Sequence, residues 1–275
     1  MADTYPVGVF PGEREGKTNV RAYVYLCGIE HEGLNTFREK QHLVLGGAGG
    51  DIKVLRALGV PADHIHVAER DALVAENLRR RFSCVTTYRD DALMVAAELS
   101  GRRFSTVNLD LCSKLSTRLS RWVAALLRAG RMEDALLSVT LFAGRETDET
   151  VLGLLPRYRT PACGCWYPRS KVLGELLRRQ GLRRNGILKN ASQLGYASKG
   201  VSVRGLATSS QMSVSVFCRS PFQKDTIGNY GPRIMARRLR EHGLRAPAIA
   251  AVFNLPRQQV AGWFAAETRG RIFVP

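Results

Sequence analysis

The sequence predicts an α/β fold: one domain built on a mostly parallel sheet, followed by a small all-α domain. Three observations predict it. Short apolar runs alternate with helical patterns from residue 42 to about residue 142, which implies βαβ crossovers and a parallel sheet. The first run, Leu43-Val44-Leu45, leads straight into Gly46, Gly47, Ala48, Gly49 and Gly50. Beyond residue 231 the alternation stops and only helical spacing remains.

Taken in order, residues 1–41 form an N-terminal extension, in which 19–29 (NVRAYVYLCGI) reads as either a strand or a helix. Residues 43–45 have the length of a buried strand. The apolar spacing of 52–58 suits a helix packed on a sheet, and Gly59 and Pro61 close it. A second strand, 64–68, ends in Glu69-Arg70-Asp71. A basic helix follows at 72–82, then a third strand at 84–88 that ends in Arg89-Asp90-Asp91. A helix runs to residue 99, a fourth strand over 104–109 ends in Asp110, an amphipathic helix covers 115–128, and a fifth strand covers 135–142. Residues 171–181 spell a basic helix. The β-like stretches 193–196 and 212–218 finish the sheet as an antiparallel pair. The core domain spans 42–222, a linker 223–231, and the helical domain 232–275, so removal of the tail is expected to leave a soluble core.

Composition sets the outer bounds. The chain has 275 residues, 45% of them hydrophobic, which is room for one large domain and a small one. No apolar run approaches a membrane span, and the start (MADTYPVGVFPGEREG) shows no basic patch followed by an apolar stretch, so no secretory signal is expected. Six cysteines are scattered, and Cys163-Gly-Cys165 has no matching pair at zinc-ligand spacing. The expectation is therefore a cytoplasmic protein with reduced thiols and no metal. A net charge of +17 and a pI near 10.2 imply a polyanionic partner, most often nucleic acid. The charge is also segregated. Residues 151–224 hold thirteen Lys or Arg and one acid, Glu175, whereas residues 1–100 are nearly balanced.

Strand, glycine turn, helix, strand and terminal acid together describe a nucleotide-binding βαβ unit. Glycines let a ligand approach the backbone, and an acid at the second strand's tip accepts ribose hydroxyls. A dinucleotide fingerprint would require a glycine at Ile52. The looser G-x-G at Gly47-Ala48-Gly49 suits a smaller cofactor without a pyrophosphate to seat.

The order of these motifs from about residue 42 to residue 220 resembles that of class I, Rossmann-like methyltransferases dependent on S-adenosyl-L-methionine (SAM). By that resemblance, Gly46, Gly47 and Gly49 form the cofactor turn with Asp51 beside it. Glu69, followed by Arg70, is the ribose acid, and Asp90, Asp91 and Ala92 hold the adenine. Asn108-Leu109-Asp110-Leu111-Cys112 falls at the fourth motif, beside the methyl group, which makes Asp110 and Cys112 the candidate catalytic residues. Asp110 would accept a proton or orient a substrate amine. Cys112 invites comparison with enzymes that methylate cytosine C5 through a cysteine adduct, although cysteine more often serves as a small buried hydrophobe. Two departures stand out. The family's first-strand acid is Leu45 or Gly46 here, with Asp51 the nearest replacement. The fourth motif also lacks the D/N-P-P-Y/F/W with which amino-methylating DNA enzymes grip a flipped base. The histidines show no catalytic arrangement, and His64 and His66 read as structural.

The tail fits a helix-turn-helix. A helix over 232–242 carries Arg233 and Arg237. In 246–265, Pro247 suits a first turn, Ala250 is the small residue at a close helix crossing, and Asn254 takes the left-handed turn. Ile249, Phe253, Leu255, Val260 and Trp263 form the buried set, and the second helix begins at Pro256. In that geometry Arg257, Gln258 and Gly262 approach base edges in the major groove, whereas Arg233, Arg237, Arg269 and Arg271 contact phosphates. The expected protein is a SAM-dependent methyltransferase acting on nucleic acid, with duplex DNA the first candidate. The alternatives are a DNA-binding protein with an inactive or SAM-sensing scaffold, and an RNA methyltransferase.

Overall fold

A computed structural model describes residues 15–99, 102, 104–114, 136–142, 197–202, 212–218 and 231–270, without the side chains of 15–17, 97, 111–114, 137, 139–142, 197–202, 212–218 and 266–270. The expected helices at 115–128 and 171–181 and most of the linker at 223–231 lie outside them. The centre is a seven-stranded sheet: β1 (Gln41–Leu45), β2 (Ile65–Ala68), β3 (Thr86–Tyr88), β4 (Phe104–Lys114), β5 (Leu136–Phe142), β6 (Ala197–Ser202) and β7 (Met212–Cys218). Its order is β3-β2-β1-β4-β5-β7-β6. The β1–β2, β2–β3, β1–β4 and β4–β5 pairs are parallel, whereas β7 runs antiparallel to both β5 and β6. This is a Rossmann-like sheet that closes on an antiparallel strand pair.

The central parallel strands are buried, as a sheet covered on both faces requires: β2 has no exposed residue, and Leu43, Val44, Val67, Val107 and Leu109 are essentially inaccessible. Helix α3 (Gly50–Ala57) connects β1 to β2, α4 (Ala72–Arg81) connects β2 to β3, and α5 (Ala92–Glu98) leads from β3 towards β4. Asp71 and Asp91 cap α4 and α5 by accepting from the backbone N–H groups two residues on, the usual device for an orphaned first turn.

Residues 1–41 were expected to be an extension, yet they supply a core element. Helix α1 (Glu15–Glu32) buries Ala22, Tyr23, Val24, Tyr25, Leu26, Cys27 and Ile29, and α2 (Leu34–Glu39) buries Phe37. A helix apolar around most of its circumference belongs in an interior, and it shows neither the 3.6-residue nor the two-residue period clearly. That explains the ambiguous sequence reading. Gly28 has a packing cause: a Cβ there would lie 2.9 Å from the Phe37 ring and 3.2 Å from the Thr106 methyl.

The expected stretch at 193–196 lies outside the described residues, and the sixth strand described is Ala197–Ser202. Its position follows from pairing with β7, in which Ala197 faces Cys218 and Ser202 faces Ser213.

The C-terminal helices are α6 (Pro232–Glu241), α7 (Ala246–Phe253) and α8 (Arg257–Gly270). Helix α7 ends on Asn254 at φ 53, the one non-glycine residue with positive φ among the described residues. Of the expected buried set, Ile249, Phe253 and Val260 are buried, but Leu255 and Trp263 are only partly buried and Phe264 takes the interior place beside Trp263; Ala250, the small residue at the crossing, is buried too. The reason is angular: Val260 and Phe264 stand four residues apart on one face of α8, and Trp263 sits at its edge. There Arg233 lies over the Trp263 ring at 5.8 Å, while Arg240 covers Phe264 at 4.5 Å. The three helices do not stand apart from the sheet domain. Helix α7 packs on α3 and α1, α6 packs on α1, and their buried residues join Ile52, Val54, Leu55 and Tyr25 in one cluster.

Candidate functional site

Strand order reverses between β1 and β4, the place where open α/β sheets bind ligands outside the carboxyl ends of their strands. The turn after β1 leaves the sheet there. Gly46 N donates to the Ala68 carbonyl (3.1 Å), Gly49 N donates to the Gly46 carbonyl (3.0 Å), and α3 starts as Lys53 N reaches the Gly49 carbonyl.

The glycines have different reasons to be there. A Cβ on Gly46 would meet Leu78 and Glu69 at 2.7 Å. One on Gly49, already at φ 77, would meet the Phe82 ring at 2.5 Å. Packing alone accounts for both. Gly47, at φ 49, has nothing within 4 Å of its missing Cβ among the described residues.

Glu69 follows β2, and its backbone is fixed because Glu69 N donates to the Tyr88 carbonyl at 3.0 Å. Its carboxylate accepts from Gly47 N (3.0 Å) and Asp71 N (2.9 Å), so the acid closes the glycine turn and pins the start of the next loop. Two carboxylate oxygens offer about four acceptor sites, which leaves capacity for ligand hydroxyls. Arg70 is exposed, and its guanidinium is 3.8 Å from Asp91 Oδ2, linking the loops after β2 and β3. Asp91 Oδ1 accepts from Leu93 N (2.9 Å), Asp90 is exposed and accepts from Asp91 N (2.7 Å), and Ala92 is buried. Gly46, Gly47, Gly49, Glu69, Arg70, Asp90 and Asp91 thus converge on the carboxyl edge of neighbouring strands.

Asp51 is placed differently. It is 5% exposed in the first turn of α3, with both oxygens engaged by protein groups. Arg21 Nε donates to Oδ2 (3.1 Å), while Tyr25 OH (2.6 Å) and Asn108 Nδ2 (2.7 Å) donate to Oδ1. Burial, then the Asp51 charge, raises the Tyr25 pKa well above its ordinary value, so the phenol stays a donor. Beside this group the Asn108 Oδ1 and the Ser138 hydroxyl, cross-strand partners on β4 and β5, are buried with no hydrogen-bond partner among the described residues. Asn108 falls in the fourth motif, whereas Arg21 and Tyr25 carry no site signal in the sequence. The i, i+4 spacing of Arg21 and Tyr25 becomes a signal only once 19–29 is known to be helical.

Asp110 follows Asn108 and Leu109 at the end of the regular β4 register, level with Thr140 of β5, and is partly exposed. The backbone of Cys112 continues β4, but its side chain lies outside the described residues, as do those of Arg269 and Arg271. On the C-terminal helices Arg233, Arg237, Arg257, Gln258 and Gly262 are all exposed.

His42 and His66 are structural. His42 Nε2 donates to the Phe37 carbonyl (2.9 Å) and its Nδ1 accepts from the Thr106 hydroxyl (2.8 Å). Burial pushes the His42 pKa down to about 3 and that of His66 to about 4. A surface depression lined by Thr36, Glu39, Lys40, Gln41 and Arg102 sits at the amino end of β1, away from the glycine turn.

Fold and site together define a Rossmann-like protein with a glycine turn and three strand-tip acids gathered at its switch point. No family model matches the chain, and no curated protein matches it. Among solved structures it is similar to human methyltransferase-like protein 13 in complex with SAH (13% identity, 86% of this chain and 93% of that one, TM-score 0.47). It is also similar to magnesium protoporphyrin IX methyltransferase from Synechocystis PCC 6803 with bound SAH (13% identity, 78% and 89%, TM-score 0.45). A third is the methyltransferase domain of bacterial CtHen1-C (14% identity, 72% and 98%, TM-score 0.40).

Proposed function

We propose that the protein is a SAM-dependent methyltransferase acting on nucleic acid, with duplex DNA as substrate and the C-terminal helices as the reader. The observation that carries the cofactor half is the convergence of the glycine turn, Glu69 and the Asp90-Asp91 pair at the switch point. The open space at the Gly47 Cβ position, among the described residues, supports close approach of a ligand to the turn. Bound there, SAM supplies an electrophilic methyl group on its sulfonium. Glu69 accepts the ribose hydroxyls, Asp90 or Asp91 the adenine amine, and the β1 turn lets the ligand approach the backbone. Asp110 orients the substrate nucleophile or takes its proton, which requires it within hydrogen-bond reach of that atom. The net charge of +17 supports a nucleic-acid partner, as do the exposed Arg257 and Gln258 at the start of α8, side chains suited to bidentate contacts with guanine and adenine.

Calorimetric titration with SAM and SAH tests the cofactor half, with Glu69→Ala alongside. Loss of about 1 to 3 kcal/mol of binding is expected, the worth of hydrogen bonds to a charged group. Because Glu69 also closes the turn, the melting of the ligand-free variant is measured in parallel. Unchanged SAM affinity in Glu69→Ala would place the ribose elsewhere.

A second reading, a DNA-binding protein with an inactive scaffold, has one observation in its favour. Asp51, the nearest substitute for the missing first-strand acid, has both oxygens engaged inside the protein. A wild-type protein that binds duplex DNA but gives no heat with SAM or SAH supports that reading instead.

A further inference from the structure

We infer, resting on the methyltransferase reading above, that the reader is docked rather than tethered, so that methylation falls at a fixed offset from the sequence α8 contacts. The chain order invites the opposite view, because residues 223–231 read as a linker and a linker lets a reader wander. A flexible chain of that length has an end-to-end distance of roughly 15–18 Å. At about 3.4 Å per base pair this would spread the modified position over roughly five base pairs.

The packing removes that freedom. Ile249, Val252 and Phe253 of α7 and Met235, Ala236 and Leu239 of α6 are each no more than 4% exposed, in the same cluster as Ile52, Val54 and Leu55 of α3. The salt bridge from Arg238 Nε to Glu30 Oε1 (3.0 Å, the Glu30 side chain 16% exposed) ties α6 to α1. Helix α3 is the element whose first residue follows the cofactor turn, and Asp51 in its first turn is held to α1 through Arg21 and Tyr25. Reader, glycine turn and β4 edge are therefore mounted on the same two helices. Helix α8 presents Arg257, Gln258, Gln259, Ala261, Gly262 and Ala265 on the side away from that core, in an orientation fixed with respect to the crevice.

The experiment maps methylated positions on duplexes that carry a binding site selected with the full-length protein, using SAM as donor. It compares wild type with a variant lengthened by a Gly-Ser insertion of about ten residues within 223–231, enough to add slack to any tether. A docked reader gives one methylated position per site orientation, and the insertion leaves it unmoved. A methylated window several base pairs wide, or one that broadens with the insertion, overturns docking while leaving the methyltransferase reading intact. Site-selective binding without methyl transfer from SAM overturns both.

Discussion

Gly262 lies mid-helix on the exposed side of α8, and a Cβ built there meets nothing within 4 Å among the described residues. Glycine inside a helix costs about 0.5–1 kcal/mol relative to alanine, and no internal contact accounts for it here. Close approach of an outside surface would. Gly262→Ala should therefore raise stability by about 0.5–1 kcal/mol in a urea titration while weakening duplex binding. The opposite signs of the two effects separate a recognition role from a folding one. Stabilisation with unchanged binding would remove Gly262 from the interface. His42 carries a different kind of residue-scale consequence. Burial holds its folded pKa at about 3, against about 6.5 in an unfolded chain. The unfolded state thus gains a proton below pH 6.5 that the folded state refuses until about pH 3. His42's contribution is complete above pH 6.5 and declines as pH falls through that window, by about 1.4 kcal/mol per unit. Denaturant midpoints of wild type and His42→Gln between pH 7.5 and 5 should show a shallower decline in the variant. Equal slopes would assign the acid sensitivity to other groups.

At the scale of elements, α8 shows where sequence reasoning held and where it slipped. The turn was legible because Asn254 and Ala250 announce their conformations locally: one tolerates left-handed backbone and the other leaves room for a crossing helix. The interior side of α8 was misplaced by one residue because Trp263 and Phe264 are both large and apolar, and composition does not say which faces inward. The structure puts Phe264 at 8% exposure and leaves Trp263 half-buried under Arg233. Phe264→Ala should accordingly cost about 3 kcal/mol or more, within the range for truncating a buried aromatic. Trp263→Ala should cost clearly less, since part of its surface never leaves water. Matched urea titrations decide between them, and a larger loss at Trp263 would mean that it is the anchor after all. The strand tips of β1 to β3 were legible for a related reason: a glycine turn and terminal acids are local features. Helix α1 was not, because its apolar residues run around most of the helix. The joining of Asp51 and Asn108 through Arg21 and Tyr25 was not legible either, since it links three elements up to 87 residues apart in sequence.

At the scale of the whole molecule, the sequence suggests two domains, whereas the packing puts the C-terminal helices in a third layer over α1 and α3. The composition shift at the tail is real, with arginine-rich helices after an α/β region, but composition reports which solvent a surface meets and not which surface it covers. Removal of residues 232–275 would strip Met235, Leu239, Ile249, Val252, Phe253 and Phe264 from the common cluster and uncover Ile52, Val54 and Leu55 on α3. Each of these core side chains that loses full burial costs about 1.5–3 kcal/mol, a large share of a typical total stability of about 5–15 kcal/mol. The truncated chain should therefore fail to fold or aggregate, instead of persisting as a soluble core that has lost only its target choice. The full-length protein should unfold in one transition, with near-ultraviolet circular dichroism and tryptophan fluorescence changing together. Two separated transitions, or a monomeric truncated protein with a cooperative melt, would show that the sheet domain stands without its third layer.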